Sequence, residues 1–266
     1  MGYRLRGLIE DGFWKMNLSN ETILVTGASR GIGASAAEVL LAHGANVIGT
    51  FNQSAGLLSD LQTRYGTDRV LAVKADLGQT VAVQQMWEEA LAFKGQITGI
   101  VNNAGIMPET PISVDDDTWH KDWNDVLQVN VQAVADISRL AILHFQETKN
   151  KGRIVNVASR AAFRGDGPDF MHYAASKSAV VGLTRTIARA YAREGIYAFI
   201  IAPGWVKTDM AAIAYEPGNE WMLDEVPMGR AAEPEEIANM IAFLLAGMSD
   251  SSTGATFDIN GASYVR

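Results

Sequence analysis

The sequence predicts an α/β fold, a single domain built on a doubly wound sheet of seven parallel strands with helices on both faces. Three observations carry this reading. From Glu21 onward, short β-branched runs alternate with helical stretches, the pattern of repeated βα units and of a sheet buried on both faces. A glycine-rich turn, Thr26 to Gly33, follows the first run and leads straight into a helix, which is a phosphate-cradling arrangement. The 266 residues are 48% hydrophobic and 20% charged, enough apolar side chain for one large core and too little charge for disorder.

Taken in order, strands are predicted at 22–26 (TILVT), 46–51 (NVIGTF), 69–74 (RVLAVK), 97–102 (ITGIVN), 152–158 (GRIVNVA), 196–202 (IYAFIIA) and 255–259 (ATFDI). Helices are predicted between them at 31–43, 55–66, 79–94, 122–147, 172–194 and 233–247. The last is entered through Pro234, with Glu235 and Glu236 in its first turn. Together these make a Rossmann-type domain over 21–266. Residues 1–20 read as an N-terminal extension: either Met16 is the native start or the segment is a short appended arm. Only 106–121 and 204–230 are irregular stretches long enough to act as lids, so function is expected there and at the C-terminal ends of the strands.

Composition removes several function classes. Lys and Arg total 22 against 30 Asp and Glu, a net charge of -8 without a run of basic residues, so nucleic acid is not an expected partner. Cysteine is absent, which excludes disulfides, thiolate catalysis and Cys-ligated metals. His43, His120, His144 and His172 lack metal-ligand spacing, and no catalytic metal is expected. No apolar run approaches the ~20 residues of a membrane helix, and Glu10 and Asp11 stand where a secretory apolar core would lie. A cytoplasmic protein with no membrane partner is expected.

The turn T-G-A-S-R-G-I-G places Gly27, Gly31 and Gly33 where the backbone must bend and approach a diphosphate, while Ser29 to Gly33 offer N–H groups at the helix start. A carboxylate that would hold an adenosine 2′-OH is missing at the end of the second strand, which reads Thr50-Phe51-Asn52-Gln53-Ser54. Arg30 offers a charge-assisted donor for a 2′-phosphate. NADP(H) is therefore favoured over NAD(H), with Asn52 near the adenosine end.

The T-G-x-x-x-G-x-G spacing resembles that of the short-chain dehydrogenase/reductase family. The match continues through N-N-A-G at Asn102–Gly105, Asn130, Ser159, Tyr173-x-x-x-Lys177, P-G-W-V-K-T at Pro203–Thr208 and D-I-N-G at Asp258–Gly261. It covers about residues 21 to 262 in the family's order. The glycine loop, the V-I-G-T strand and the E-I-A-N helix are similar to those of bacterial 3-oxoacyl-[acyl-carrier-protein] reductases. The resemblance implies that Gly27, Ser29, Arg30, Gly31, Ile32 and Gly33 hold the diphosphate end, and that Asp76 and Leu77 meet the adenine. Asn103, Ala104 and Gly105 would line the ribose and the path to the nicotinamide. Pro203, Gly204, the backbone of Val206 and Thr208 would fix the carboxamide, presenting the pro-S face to substrate.

Tyr173 and Lys177 are four residues apart and so share one helix face. A free tyrosine titrates near 10, so the Lys177 ammonium and an oxidised nicotinamide are together expected to draw the phenol toward proton exchange. Ser159, ending its strand, is placed to orient a carbonyl oxygen beside that phenol. No G-x-S-x-G elbow surrounds it, so it is not a nucleophile. The resemblance implies that Asn130 holds a water leading to Lys177. The expected catalytic set is Asn130, Ser159, Tyr173 and Lys177, with Tyr173 and Lys177 also contacting cofactor.

The reading is an oxidoreductase moving hydride between NADP(H) and a carbonyl or secondary alcohol, a 3-oxoacyl thioester or similar ketone. An alternative is an NAD-dependent dehydrogenase of a sugar, polyol or hydrophobic secondary alcohol; another is a non-catalytic dinucleotide-binding sensor or scaffold. Met107, Phe163, Phe170, Trp205, Met210, Trp221 and Met222 either line an apolar substrate pocket or simply pack the lids. The net charge of -8 argues against an acidic carrier protein, although Arg160 and Arg164 offer a local basic patch. The resemblance implies a homo-oligomer, tetramer or dimer, through the helices at 122–147 and 172–194 and the C-terminal segment.

Overall fold

The computed structural model describes residues 16–211, 218–219 and 221–266, with side-chain surroundings omitted for 221 and 222. Seven strands form one parallel sheet: β1 (Thr22–Val25), β2 (Asn46–Phe51), β3 (Val70–Lys74), β4 (Gly99–Asn102), β5 (Gly152–Val157), β6 (Ile196–Pro203) and β7 (Thr256–Ile259). Their order across the sheet is β3-β2-β1-β4-β5-β6-β7. Every paired strand is parallel. The order reverses between β1 and β4, and a crevice opens there beyond the strand C-termini.

Strand residues alternate between two apolar layers, as a two-sided core requires. Ile23, Val25, Val47, Val101 and Phe199 face α1 (Gly31–Ala42) and α9 (Pro234–Leu245), whose Leu40, Ile237 and Ile241 are buried. Leu24, Ile48, Ile100 and Ile154 face the other side, against Met86 of α3 (Thr80–Lys94), Ile137 and Phe145 of α5 (Ala133–Thr148) and Ile187 of α7 (Met171–Tyr191). The remaining helices are α2 (Leu57–Tyr65), α4 (Asp116–Leu127), α6 (Ala161–Arg164) and α8 (Trp221–Asp224).

The helix predicted at 122–147 begins six residues earlier, at Asp116. Asp115 caps it by accepting from the Thr118 N–H at 2.9 Å and the Thr118 hydroxyl at 2.8 Å, and Asp116 and Asp117 sit in the first turn, where the helix dipole favours them. The first lid is correspondingly shorter. A π-turn, Gln128–Gln132, joins α4 to α5 and contains Asn130. By length and composition the continuous helix Asp116–Thr148 could cross a membrane, but Val126, Ala133, Ile137, Ala141 and Phe145 are buried in the core, as in a soluble protein's internal helix.

Buried amides tie the site-bearing helix to the sheet. Asn102 Nδ2 donates to Asn156 Oδ1 at 2.8 Å, and Asn156 Nδ2 donates to Thr184 Oγ1 of α7 at 2.8 Å. Asn102 Nδ2 also reaches Ser138 Oγ of α5 at 3.3 Å. Such a network stays favourable only while its members are paired.

His144, buried on α5, accepts the Ile97 N–H through Nε2 at 3.2 Å. Burial holds its imidazole below the usual 6.5, against the opposing charge of Glu147. Below pH 6.5 the unfolded chain takes up a proton that the folded chain refuses, so stability falls with falling pH. Urea unfolding at pH 7 and pH 5 is expected to show this acid loss, and His144→Gln should make it shallower.

Candidate active site

At the end of β1 the chain turns through Gly27 (φ 65°) and Gly31 (φ 56°), a left-handed backbone that glycine adopts without strain. A Cβ on Gly33 would lie 2.2 Å from the Gly27 carbonyl oxygen and 2.5 Å from Asn103 Nδ2, so the helix can start this close to the strand only with glycine there. No side chain caps α1 at Arg30, which leaves first-turn N–H groups free of intrahelical partners. A bare helix start set behind a glycine turn fits a dinucleotide diphosphate.

The cradle is braced from β4. Thr26 Oγ1 accepts the N–H groups of Asn103 and Ala104, both at 3.0 Å. Asn103 Nδ2 donates to the Thr26 carbonyl at 2.9 Å and to the Gly27 carbonyl at 3.1 Å. The Asn103 side chain thus holds the glycine loop, while Ala104 packs so closely that a Cβ on Gly27 would meet it at 3.0 Å.

Around this cradle, Ser29, Arg30, Gly31 and Ile32 are exposed or half-buried, as are Asn52 and Asp76, whereas Leu77 is buried. Asp76 accepts the Gly78 N–H at 3.0 Å. Arg30 meets Asp209 at 3.4 Å, with both side chains largely in solvent. Across the crevice, the segment after β6 lies against the cradle: a Cβ on Gly31 would stand 3.1 Å from Thr208 Cγ2. The Thr208 hydroxyl donates to the Val206 carbonyl at 3.3 Å. Val206 bridges Ala232, and Gly204, packed on Asn260 after Pro203, donates to Ile259.

Two of the four expected reactive residues, Asn130 and Lys177, meet beside Gly105. Point positions at a Cβ built there lie 3.3 Å from Asn130 Oδ1 and 3.4 Å from Lys177 Nζ. Lys177 is buried, donates from Nζ to the Val157 carbonyl at 2.9 Å, and sits 5.7 Å from the Tyr173 ring centroid. Burial alone brings its ammonium down to about 8, so it stays mainly protonated at pH 7. Ser159 is half-buried after β5 and its Oγ accepts the Ala161 N–H at 3.1 Å.

Two features of the protein alone bear on the expected proton path. Tyr173 is not drawn down by Lys177: burial pushes the phenol up to about 12, a hydrogen bond from Ser159 pulls the other way, and Asp166 pushes it up further. The Lys177 ammonium lies over the Tyr173 ring, 5.7 Å from its centroid, and spends a donor on the Val157 carbonyl, so in the protein alone desolvation dominates. The Asn130 amide is committed to protein. Its Oδ1 accepts the Ile106 N–H at 2.9 Å, and its Nδ2 donates to the Ile106 carbonyl at 2.9 Å and to Ser176 Oγ at 3.1 Å.

Sequence reasoning missed Glu225. Arg160, fully interior, and Arg164 both pair with its carboxylate, Arg164 at 3.0 Å, and Trp205 Nε1 donates to it at 3.0 Å. Burial pushes the Glu225 carboxyl up, but the Arg160, Arg164 and Trp205 hydrogen bonds prevail and hold it below its usual range. The two arginines therefore pin the second lid and do not form the free basic patch expected of them. Charge complementarity between residues 61 and 65 positions apart in the chain leaves no local pattern to find. Of the expected pocket lining, Met107, Phe163, Phe170 and Trp205 are half-buried and Met210 is exposed. The Trp221 and Met222 side chains lie outside the described residues.

A family profile described as Enoyl-(Acyl carrier protein) reductase matches residues 27–262. The chain belongs to the short-chain dehydrogenase/reductase family. It is 34% identical, over 94% of its own length and 100% of the relative's, to a 3-oxoacyl-[acyl-carrier-protein] reductase of Escherichia coli. A 3-ketoacyl-(acyl-carrier-protein) reductase of Brucella melitensis, solved with NADH, superposes with a TM-score of 0.84 at 29% identity, covering 94% of this chain and 100% of that one. A putative 2-deoxy-d-gluconate 3-dehydrogenase of Agrobacterium tumefaciens, solved with NADP, gives 0.84 at 28% identity, covering 95% and 99%. The protein is a nicotinamide-dinucleotide-dependent oxidoreductase acting on CH–OH and C=O groups.

Lys177 gives a stability test. Its folded value of about 8 against an ordinary 10.5 means that the buried ammonium costs about 3 kcal/mol of stability at pH 7. The unfolded chain keeps the proton longer, so stability should climb between pH 8 and pH 10.5. Lys177→Met is expected to lose that climb and to equal or exceed the parent's stability at pH 7 in urea unfolding, while activity collapses.

Proposed function

We propose that this protein reduces a ketone, with a 3-oxoacyl thioester as the leading substrate class, using NADPH, and that Tyr173, Ser159, Lys177 and Asn130 form its reaction centre. The observation that carries the reading is the buried Lys177 ammonium lying over the Tyr173 ring, 5.7 Å from its centroid, and close to Asn130 beside Gly105. When bound, the nicotinamide supplies hydride in reduction and takes it in oxidation. Ser159 donates a hydrogen bond to the substrate oxygen and holds it against Tyr173. The phenol, uncharged at neutral pH, delivers its proton to that oxygen, and the Lys177 ammonium stabilises the phenolate left behind. Asn130 keeps Ile106, and with it the floor of the site, fixed.

NADPH is favoured over NADH because Asn52, Gln53 and Ser54 present no carboxylate to repel a 2′-phosphate. Arg30 is exposed and held only by a surface pair with Asp209, from which a phosphate can recruit it. The second reading, an NAD-linked dehydrogenase of a sugar or secondary alcohol, draws support from the same pair, which occupies Arg30 in this structure. The same reading includes a cytoplasmic location, with which a cysteine-free chain is compatible, and a homotetramer. Leu127 and Leu143 stand exposed on the α4–α5 helix as apolar contacts for such an assembly. Light scattering at micromolar concentration is expected to give a mass near four chains, and a monomer would refute this.

Initial rates with acetoacetyl-coenzyme A, simple ketones and secondary alcohols, read separately with NADPH and NADH, test substrate and cofactor together. Higher kcat/KM with NADPH is expected, and equal or higher efficiency with NADH overturns the cofactor assignment. Tyr173→Phe should lower kcat by about 10²–10⁴-fold and leave NADPH binding, followed by fluorescence, close to that of the parent. A sensor or scaffold would show no turnover for that substitution to remove.

A further inference from the structure

We propose that His172 is a positioning residue for the reaction: through its two ring nitrogens it couples the start of α7, and so Tyr173, to the loop that closes the β4 side of the site. The inference rests on the reading of Tyr173 as the proton donor.

His172 and Thr110 are both buried, at 1% and 2% exposure. The Tyr173 N–H donates to His172 Nδ1 at 2.7 Å, so Nδ1 carries no proton and the neutral ring holds its hydrogen on Nε2. That Nε2–H then points at Thr110 Oγ1, 2.9 Å away, and the Thr110 hydroxyl donates to Asp122 Oδ2 at 2.8 Å. Each donor has one acceptor, and the chain of bonds runs one way from the Tyr173 backbone to the Asp122 carboxylate. The edge of Trp123 closes the His172 ring from the α4 side, with centroids 5.9 Å apart.

The loop is held at both ends. Thr110 also donates its N–H to the Asp169 carbonyl at 3.0 Å, just before α7. Four residues earlier, Ile106 is gripped by Asn130, whose Nδ2 also reaches Ser176 Oγ, and Ser176 in turn donates to the Tyr173 carbonyl at 2.8 Å. Both the N–H and the C=O of Tyr173 are therefore bonded to side chains that clamp the 106–110 loop. A shift of the loop moves the residue carrying the phenol.

A proton added at Nδ1 removes the acceptor for the Tyr173 N–H and breaks the coupling. Burial lowers the His172 affinity for that proton, and the Asp122 charge on α4 opposes burial but does not overcome it. Lys121, 4.0 Å from Asp122, offsets that charge, while Asp169 offers Thr110 only its backbone carbonyl. The ring stays neutral at pH 7 and gains its proton below pH 6.5, in the acid range.

The test measures kcat and KM with NADPH and acetoacetyl-coenzyme A from pH 5 to pH 8 for the parent, His172→Gln and Thr110→Val. The parent should lose kcat on the acid side. Both variants are expected to lose about tenfold to a hundredfold in kcat at pH 7 with little change in KM for NADPH, and His172→Gln should lack the acid limb. A parental kcat in both variants, or an acid limb unaltered in His172→Gln, overturns the proposal. Should His172→Gln fail to fold, ¹⁵N NMR of the parent's histidines decides: Nε2–H at His172 supports the coupling, and Nδ1–H refutes it. Tyr173→Phe run alongside separates the two failures, since near-parental activity there sinks the proton-donor reading itself.

Discussion

Keeping an ammonium group inside the protein is the constraint around which the rest is arranged. Among the described residues Lys177 Nζ donates to the Val157 carbonyl and lies over the Tyr173 ring, and burial strips it of water. Such a group persists only where the surrounding structure overdetermines its place. α7 supplies that, because Thr184 is bonded to Asn156 of β5 and Val180 and Val181 pack against Ile200 of β6. The helix cannot shift to let the lysine reach solvent without breaking a buried amide network and an apolar layer together. The stability given up at Lys177 is offset by the two-sided core, whose central strands β1 and β4 are buried along their whole length.

The cofactor cradle follows the same logic with opposite charge. Free N–H groups at a helix start are useful to an anion only if the helix stays put when none is bound. Thr26 and Asn103 secure this by spending side-chain bonds on backbone atoms of both β1 and β4, the two strands between which the sheet order reverses. The switch point is therefore a stitched seam, and α1 can leave its first turn uncapped at Arg30.

Most of this was legible in the sequence for a physical reason: a strand buried on both faces must read as a β-branched run, and a turn that meets phosphate must read as glycine. Seven strands and six long helices were readable on those grounds, with boundaries moving by up to a few residues apart from the early start of α4. There the cap at Asp115 extends the helix, although the polar stretch DDDTWHKD has little apolar periodicity to announce it. The π-turn at Gln128–Gln132 has no composition of its own, since it exists to aim Asn130 at Ile106. Spacing on a helix fixes the proximity of Tyr173 to Lys177 but says nothing about how much water the fold removes, which is what raises the phenol in the protein alone. Glu225 was invisible because its partners come from a different βα unit.

The two loops that flank the crevice are held by opposite physics, and this bears on what loosens them. The β4 side is fastened by neutral bonds among Ile106, Asn130, Thr110 and His172, which ignore ionic strength. The β6 side is fastened by Glu225 between Arg160 and Arg164, with Trp205 donating to the same carboxylate and lying 5.6 Å from the Arg160 guanidinium. Asp166 adds a second carboxylate that acts on Arg160, so the two guanidinium groups are balanced, and among the described residues Arg160 Nη1 is buried without a hydrogen-bond partner. Burial already disfavours the charged form of Arg160, and an unspent donor in such a place raises the cost of leaving it unpaired. The two lids thus differ in what loosens them, since salt weakens the ion-paired β6 side far more than the β4 side, whose grip comes largely from uncharged donors and acceptors.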